Sequence, residues 1–311
     1  MGCWHMVLLG LLVLSLLSSC RCLVLSAPDV LARMPVPRSY IATAVFQDKL
    51  FVIGGWNGTA RHDAVFVFDG SSWTGAPSMN TKRDDFYAAV FQDKLFVLGG
   101  MAWSLEGMGK VIGEVEVYDG THWSPAPSLA VARSGHGAAV FQNKLFVVGG
   151  FDNDKELLNS VEVFDGGSWS TGPGLPRARL GMGVAVFQEK LFAIGGNIGD
   201  LASDTVDVFD GTSWTSMPSM PTARHYLAAA VFHAKLFAIG GGIGFNDGSA
   251  LDSVEVFDGS SWSRAAPLAT PRDCEGAVVF EGRLLAIGGN SRPSLQNPAA
   301  ITLDSLEVVA A

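Results

Sequence analysis

Four stretches of this 311-residue chain carry ionisable side chains, three of them side by side: Tyr40 after Ser39, and Asp84-Asp85, His225-Tyr226 and Asp273-Cys274-Glu275. Carboxylates beside a histidine and phenols can exchange protons with a bound molecule or simply hydrogen-bond it, and the pattern alone leaves both open. Each stretch directly follows an arginine, namely Arg38, Arg83, Arg224 and Arg272. Two further arginines, Arg133 and Arg179, precede Ser134-Gly135-His136 and Leu180-Gly181-Met182. A guanidinium is a planar fork of donors matched to a carboxylate. Six of them in register read either as a cationic ring for acidic ligands or as six architectural pegs that satisfy loop carbonyls. Neither HxxxH nor CxxC spacing occurs, and Cys274 is the only cysteine after residue 22, so no metal, no cofactor and no disulfide framework is expected. With no Ser-His-Asp arrangement and no phosphate-cradling loop either, the chain reads as a non-enzyme.

What positions these residues is a repeat. VFQDKLFVIGG from Val45 recurs, with small changes, from Val90, Val140, Val186, Val231 and Val279, and the glycine pairs begin at Gly54, Gly99, Gly149, Gly195, Gly240 and Gly288. The period of 45 to 50 residues suits a four-stranded propeller blade. Each glycine pair lies 16 residues after one of the six arginines. Five of the arginines lie 10 residues after a tryptophan, Trp73, Trp123, Trp169, Trp214 or Trp262, and each tryptophan follows an Asp-Gly turn by four residues from the aspartate.

The glycine pair, the Asp-Gly turn, the tryptophan and the arginine together resemble the kelch repeat, and the resemblance covers residues from about 28 to 311. It implies an all-β, six-bladed kelch-type β-propeller with an N-terminal strand closing the last blade. Some kelch substrate receptors bind acidic peptides through arginines at the matching position, which would make Arg38, Arg83, Arg133, Arg179, Arg224 and Arg272 ligand-binding. The family also includes a copper oxidase acting on galactose and a sialic acid epimerase. The copper chemistry needs a cysteine-modified tyrosine, a second tyrosine and two histidines, against which this chain sets only Tyr40, Tyr87, Tyr118, Tyr226 and Cys274. Proton transfer of the epimerase kind would need paired groups in the channel, for which His225 and the nearby acids suffice.

In the third unit the strands are expected at Gly135 to Phe141 (strand a), Lys144 to Val148 (b), Ser160 to Phe164 (c) and Trp169 to Thr171 (d). Small residues in strand a fit the crowded axis, and the tryptophans and phenylalanines fit the wider gaps between blades. The blades are expected at about 38–77, 83–127, 133–173, 179–218, 224–267 and 272–311, the last completed by residues 23–34. Length varies only in the b-c loops, where recognition or neutral drift are the two readings. Trp56, Arg61, Trp103 and Arg292 are the loop candidates for recognition. Among the residues after the arginines, Tyr40, Asp84, Asp85, His225, Tyr226, Asp273 and Glu275 fall on blades five, six, one and two, a lopsided polar sector expected to hold the ligand.

Residues 1–22 read as a secretory signal peptide, since the apolar run Val7 to Leu17 is too short to span a bilayer. Met1 to Met6 lacks the usual basic residue, and Leu17-Ser18-Ser19-Cys20 also resembles a bacterial lipoprotein cleavage site. An uncleaved N-terminal anchor is the alternative to secretion. Asn57-Gly58-Thr59 is a glycosylation sequon. The net charge of −9 argues against nucleic-acid binding. The expected partner is a protein or glycan ligand of a monomeric, secreted or lumenal propeller (residues 23–311), with an intracellular substrate adaptor as a further alternative.

Overall fold

The computed structural model describes residues 31–103, 109–199, 201–244, 250–291 and 301–311. The chain divides into two compact units, Met1–Leu31 and Ala32–Ala311, and every described strand belongs to the second. The expected signal segment and the start of the expected N-terminal strand lie outside the described residues, as does Arg292.

The described residues form strands and turns with no helix, arranged as a six-bladed β-propeller. Blade one runs Ala42–Phe46, Lys49–Ile53, Val65–Phe68 and Trp73–Ala76 as strands a to d, each antiparallel to the next. Blades two to five repeat this order from Tyr87–Phe91, Gly137–Phe141, Gly183–Phe187 and Ala228–Phe232. Blade six shows Gly276–Phe280, Arg283–Ile287 and Leu306–Ala310. In blade three, strand b falls at Lys144–Val148 as expected, strand c (Val161–Phe164) starts one residue late, strand d (Trp169–Gly172) runs one residue further, and strand a begins at Gly137, two residues late. Gly135, at φ 61, turns the chain out of the ladder and toward the axis.

The a-b turns hold two residues at positive φ, for example Gln47 at 49° and Asp48 at 58°, the geometry that lets a two-residue hairpin follow the strand twist. Glutamine recurs there because its amide lies on the bare Cα of the next blade's c-d turn. Gln47 faces Gly120, Gln92 Gly166, Gln142 Gly211 and Gln188 Gly259, and a Cβ on any of these glycines would come within 2.9 Å of the amide. Glu281 of blade six meets Gly70 of blade one in the same way, closing the circle.

The core lies between blades. Strand b is buried throughout beyond its first residue, and its side chains pack against the neighbouring strand a. Small residues line the inner strands because nothing larger fits: a Cβ on Gly137 would sit 2.1 Å from Val184 Cγ2, and one on Gly276 would sit 2.4 Å from Thr43 Cγ2. Each d-strand tryptophan stacks obliquely on its own strand c aromatic, as Trp123 does on Tyr118 at 5.1 Å. Its indole N–H reaches back to the preceding blade: Trp123 donates to Pro77 O (2.9 Å), Trp169 to Pro127 O (2.7 Å), Trp214 to Pro173 O (2.8 Å) and Trp262 to Pro218 O (3.0 Å).

Trp73 donates instead to Ala32 O at 2.9 Å, so residues 32–38 stand where blade six would present its own post-d segment. The Met34 N–H donates to Asp304 O and the Arg38 N–H to Leu303 O, as Met79 and Arg83 do to Asp63 and His62 in blade one. An Arg33–Asp304 ion pair of 2.6 Å adds to the closure. The outermost strand of blade six, expected just upstream, lies outside the described residues.

Candidate functional site

The six arginines are interior residues. Arg83 is fully buried, and its guanidinium donates to Gly99 O and Glu114 O and to Glu116 Oε1 at 2.7 Å. Arg133 repeats this on Gly149 O, Ser160 O and Glu162 (2.8 Å), and Arg179 on Gly195 O, Thr205 Oγ1 and Asp207. Arg224 pairs with Glu255 at 3.1 Å and Arg272 with Glu307 at 2.9 Å. In each case the fork ties the glycine-pair carbonyl of its own blade to the strand c acid. Arg38 is the exception, because the acid's place is taken by Phe66, whose ring centre lies 5.6 Å from the guanidinium carbon. Burial, offset in part by Asp63, lowers the Arg38 pKa to about 10. Geometry therefore corrects the ligand-binding reading of five of them, whose guanidinium groups are inside the blades and already paired; Arg38 is equally buried but has two guanidinium nitrogens with no hydrogen-bond partner.

Two residues beyond each arginine the chain approaches the axis, and there the backbones join in a closed circle. The Asp85 N–H donates to Tyr40 O, Gly135 to Asp85 O, Gly181 to Gly135 O, Tyr226 to Gly181 O, Cys274 to Tyr226 O, and Tyr40 to Cys274 O. All six residues are left-handed, with φ between 48° and 61°. Glycine adopts that conformation freely, whereas tyrosine, aspartate and cysteine do so at a cost. The side chains that bear it are Tyr226, Cys274, Tyr40 and Asp85, contributed by blades five, six, one and two, while Gly181 and Gly135 lie under the Tyr226 ring and the Asp85 carboxylate.

These side chains face one another. The Tyr40 and Tyr226 rings meet edge to face at 5.5 Å. Asp85 accepts a hydrogen bond from Ser134 Oγ at 2.7 Å and one from the Tyr226 hydroxyl. Burial, reinforced by the adjacent Asp84, pushes the Asp85 carboxyl up to about 8. Cys274, against Tyr40, is held well above the ordinary thiol range by burial and by Asp273. The Tyr40 phenol is raised well above its usual value by Cys274, then by burial, and Tyr226 by burial and then by Asp85.

Three residues beyond each arginine lie Ile41, Phe86, His136, Met182, Leu227 and Glu275, so His136 and Glu275 are the polar members of an otherwise apolar tier. Both are buried, with no hydrogen-bond partner on the His136 ring nitrogens or the Glu275 carboxyl oxygens. Desolvation raises Glu275 to about 8 and, assisted by the Arg133 charge, lowers His136 to about 3. A cavity of about 80 Å³ is lined by both tiers, including Tyr40, Asp85, His136, Tyr226, Cys274 and Glu275. Deeper in, Tyr87 crosses the lumen from blade two toward blade four, its hydroxyl 3.5 Å from Val184 O, and burial pushes its pKa up to about 12. Ser134, His136 and Tyr87 were not among the sequence candidates. A comparison of the six residues at the third position after each arginine, and of the six at the fourth, would have exposed the last two as the odd members of their tiers.

The remaining candidates rim the mouth. His225 and Asp273 are buried around the bare Cα of Gly242; a Cβ there would stand 3.3 Å from the His225 ring and 3.6 Å from Asp273 Oδ2. Asp84 pairs with Arg61 at 2.7 Å. The Arg61 guanidinium in turn lies over the Trp103 ring at 4.4 Å and by Trp56 at 5.7 Å, and Trp103 is 47 % exposed. The loop candidates of blades one and two thus form one cluster. Leu201, Ile243 and Ile301, on the b-c loops of blades four to six, are also exposed. Asn57 stands partly exposed in a tight turn, its side-chain carbonyl accepting from the Thr59 and Ala60 N–H groups. Among the described residues no three His, Cys, Asp or Glu side chains are placed to hold a metal ion, and no helix is long and apolar enough to cross a membrane.

A family model described as the KLHDC2/KLHL20/DRC7 Kelch-repeats domain matches residues 88–289, and one described as the Kelch motif matches residues 37–80. No curated protein sequence matches the chain. Among solved structures, one titled "Structure of YjhT" superposes with a TM-score of 0.79 at 18 % identity, covering 90 % of this chain and 96 % of that one. At that identity the likeness is one of fold.

Proposed function

Since this chain belongs to the kelch-repeat family, we propose that it is a non-catalytic binding protein that recognises a protein or glycan ligand at the end of the propeller where the b-c and d-a loops emerge. The observation that carries this reading is the axial circle. Six left-handed positions would be most stable with six glycines, yet four bear Tyr40, Asp85, Tyr226 and Cys274. Strain of this kind, roughly 1 kcal/mol or more per residue, persists in functional sites where a side chain must be aimed. The exposed Trp103 and the apolar residues on the other b-c loops supply a rim of the sort that protein and sugar surfaces pack against. The opposite end offers no comparable variation, since its turns repeat nearly unchanged.

The test is a binding screen against glycan and extracellular-protein arrays, repeated with Trp103→Ala and Tyr226→Ala and with Gln142→Ala on the opposite end. Loss of a hit in the first two and retention in the third supports the reading. Equal binding by all three variants moves recognition elsewhere.

A catalytic alternative has one observation in its favour: Asp85, raised to about 8 by burial, lines the axial cavity together with Tyr226, and a carboxyl tuned to that range can serve in acid-base chemistry. Turnover of a sugar panel with a bell-shaped pH profile, abolished by Asp85→Asn, would replace the binding reading. The proposal also takes the chain to be secreted or lumenal and Asn57 to carry a glycan. Expression in a eukaryotic secretory host should then give a product whose mobility shifts on deglycosylation, and Asn57→Gln should remove the shift.

A further inference from the structure

We propose that the ledge formed by Trp103, Trp56 and Arg61 at the rim of the mouth is a carbohydrate subsite, which takes a neutral pyranose ring with its C–H face on the Trp103 indole. This rests on the recognition reading above and narrows its ligand to a glycan. Three observations carry it.

First, two tryptophans depart from the use the fold makes of the others. Trp73, Trp123, Trp169, Trp214 and Trp262 each donate the indole N–H to a backbone carbonyl. Trp56 and Trp103 have no such acceptor among the described residues and meet each other instead, with ring centres 6.4 Å apart and planes tilted by 53°. Nearly half of Trp103 faces solvent. No packing need within the blades accounts for an indole displayed in this way.

Second, the ledge is shaped in advance. The Arg61 guanidinium covers one face of Trp103, its carbon 4.4 Å from that ring centre and 5.7 Å from that of Trp56, and its Nε is held on Asp84 Oδ1 at 2.7 Å. Asp84 and Met101 exchange both backbone hydrogen bonds, and the strand Met101–Trp103 pairs with Gly109–Val111, so that Gly109 stands opposite Trp103. The bare Gly109 Cα leaves room for the stack: a Cβ there would stand 3.2 Å from Met101 Sδ and 3.7 Å from Arg61 Nη2. With these side chains already fixed, little of a guest's binding free energy goes into ordering them.

Third, the open groups suit one kind of guest. Arg61 is nine-tenths buried, yet its Nη groups make no hydrogen bond with a described residue and neither is sealed from solvent. With the two indole N–H groups they set donors along the edge of an apolar face. Asp84 neutralises Arg61, and the neighbouring Arg83 is held by Glu116, so the ledge has no spare charge with which to hold an ion. A pyranose carries a flat C–H face and a fringe of acceptor oxygens in one uncharged unit. An apolar protein side chain lacks the oxygens, and a carboxylate lacks the face.

The test is saturation-transfer NMR and titration of the full chain with the methyl pyranosides of glucose, galactose, mannose and N-acetylglucosamine. Methyl glucuronide forms an acidic arm, methyl glucosaminide a cationic arm and hexaproline a protein arm. At least one neutral glycoside should bind in the millimolar range, with transfer strongest to the protons of one ring face. Trp103→Ala should weaken it about tenfold or more, and Trp103→Phe by less. Arg61→Lys keeps the charge and loses the fork, and should also cost about tenfold. Gln142→Ala, at the opposite end, should change nothing. Tighter binding of the uronide or the aminoglycoside than of the neutral parent, hexaproline binding in place of every glycoside, a glycoside indifferent to Trp103→Ala, or no transfer to any neutral glycoside overturns the inference. Where a variant fails to fold, the wild-type ring-face pattern and the preference for neutral over charged rings still decide it. A protein ligand lost in Trp103→Ala while no pyranoside binds would leave recognition at this face standing and remove only the glycan assignment.

Discussion

Arg83 shows what the most frequently repeated residue is for. Replacing it with methionine strands Glu116, buried among strand c neighbours, and the loss of one partner of a buried pair costs about 3–5 kcal/mol. Arg38→Met should cost less than half as much, since Phe66 leaves no carboxylate to strand; urea denaturation of the two variants checks the ranking. Protonation makes a second prediction. Asp85 and Glu275 bind their protons more tightly folded than unfolded, so between the ordinary carboxylate range and about pH 8 the native state holds the extra protons and stability falls as pH rises. His136, lowered by burial, works the other way: its neutral form is favoured by folding, so stability also falls as pH drops below the ordinary imidazole value. Melting temperature should peak on the acid side of neutrality, and Asp85→Asn with Glu275→Gln should flatten the alkaline limb. The polar sector itself was legible in the residues after each arginine. Which role the arginines play was not, because the deciding acids sit in Val-Glu-Val runs that read as alternating strand, with the acid facing water.

At the level of strands and turns, the d-strand tryptophan is the unit of cohesion between neighbours. Trp123→Phe should retain most of the stacking on Tyr118 and lose the bond to Pro77 O, about 1 kcal/mol. Trp123→Ala leaves a cavity and should cost about 3–5 kcal/mol. Calorimetric unfolding of the pair separates packing from hydrogen bonding. Strand positions were readable almost to the residue, because hairpins with two-residue turns fix register and the glycine pair marks where strand b must end. The late start of strand a was not, because small residues such as Gly135 and Gly137 look alike in sequence; only the left-handed turn of the first distinguishes them. The reason for glutamine in the a-b turn was equally hidden, since its partner glycine lies on the next blade.

For the molecule as a whole, closure rests on Ala32 O, Met34 and the Arg33–Asp304 pair. Removing residues 1–36 should leave blades one and six without these bonds, exposing strand edges that other chains can pair with. Sedimentation of the shortened protein should show association and its melting should broaden; a monomer melting like the intact chain would contradict the closure. Six repeats announce a circle from sequence alone, and the missing sixth tryptophan announces that its end is completed from elsewhere. The axial backbone has a further implication. Its hydrogen bonds treat every blade alike, so by themselves they would let an incoming molecule settle in any of six equivalent orientations. The two adjacent glycines break that equivalence, because the Tyr226 ring leans against Gly181 and the Asp85 carboxylate against Gly135. A binding partner therefore meets one distinct face of the circle, and its orientation would be set there before it touched any outer loop.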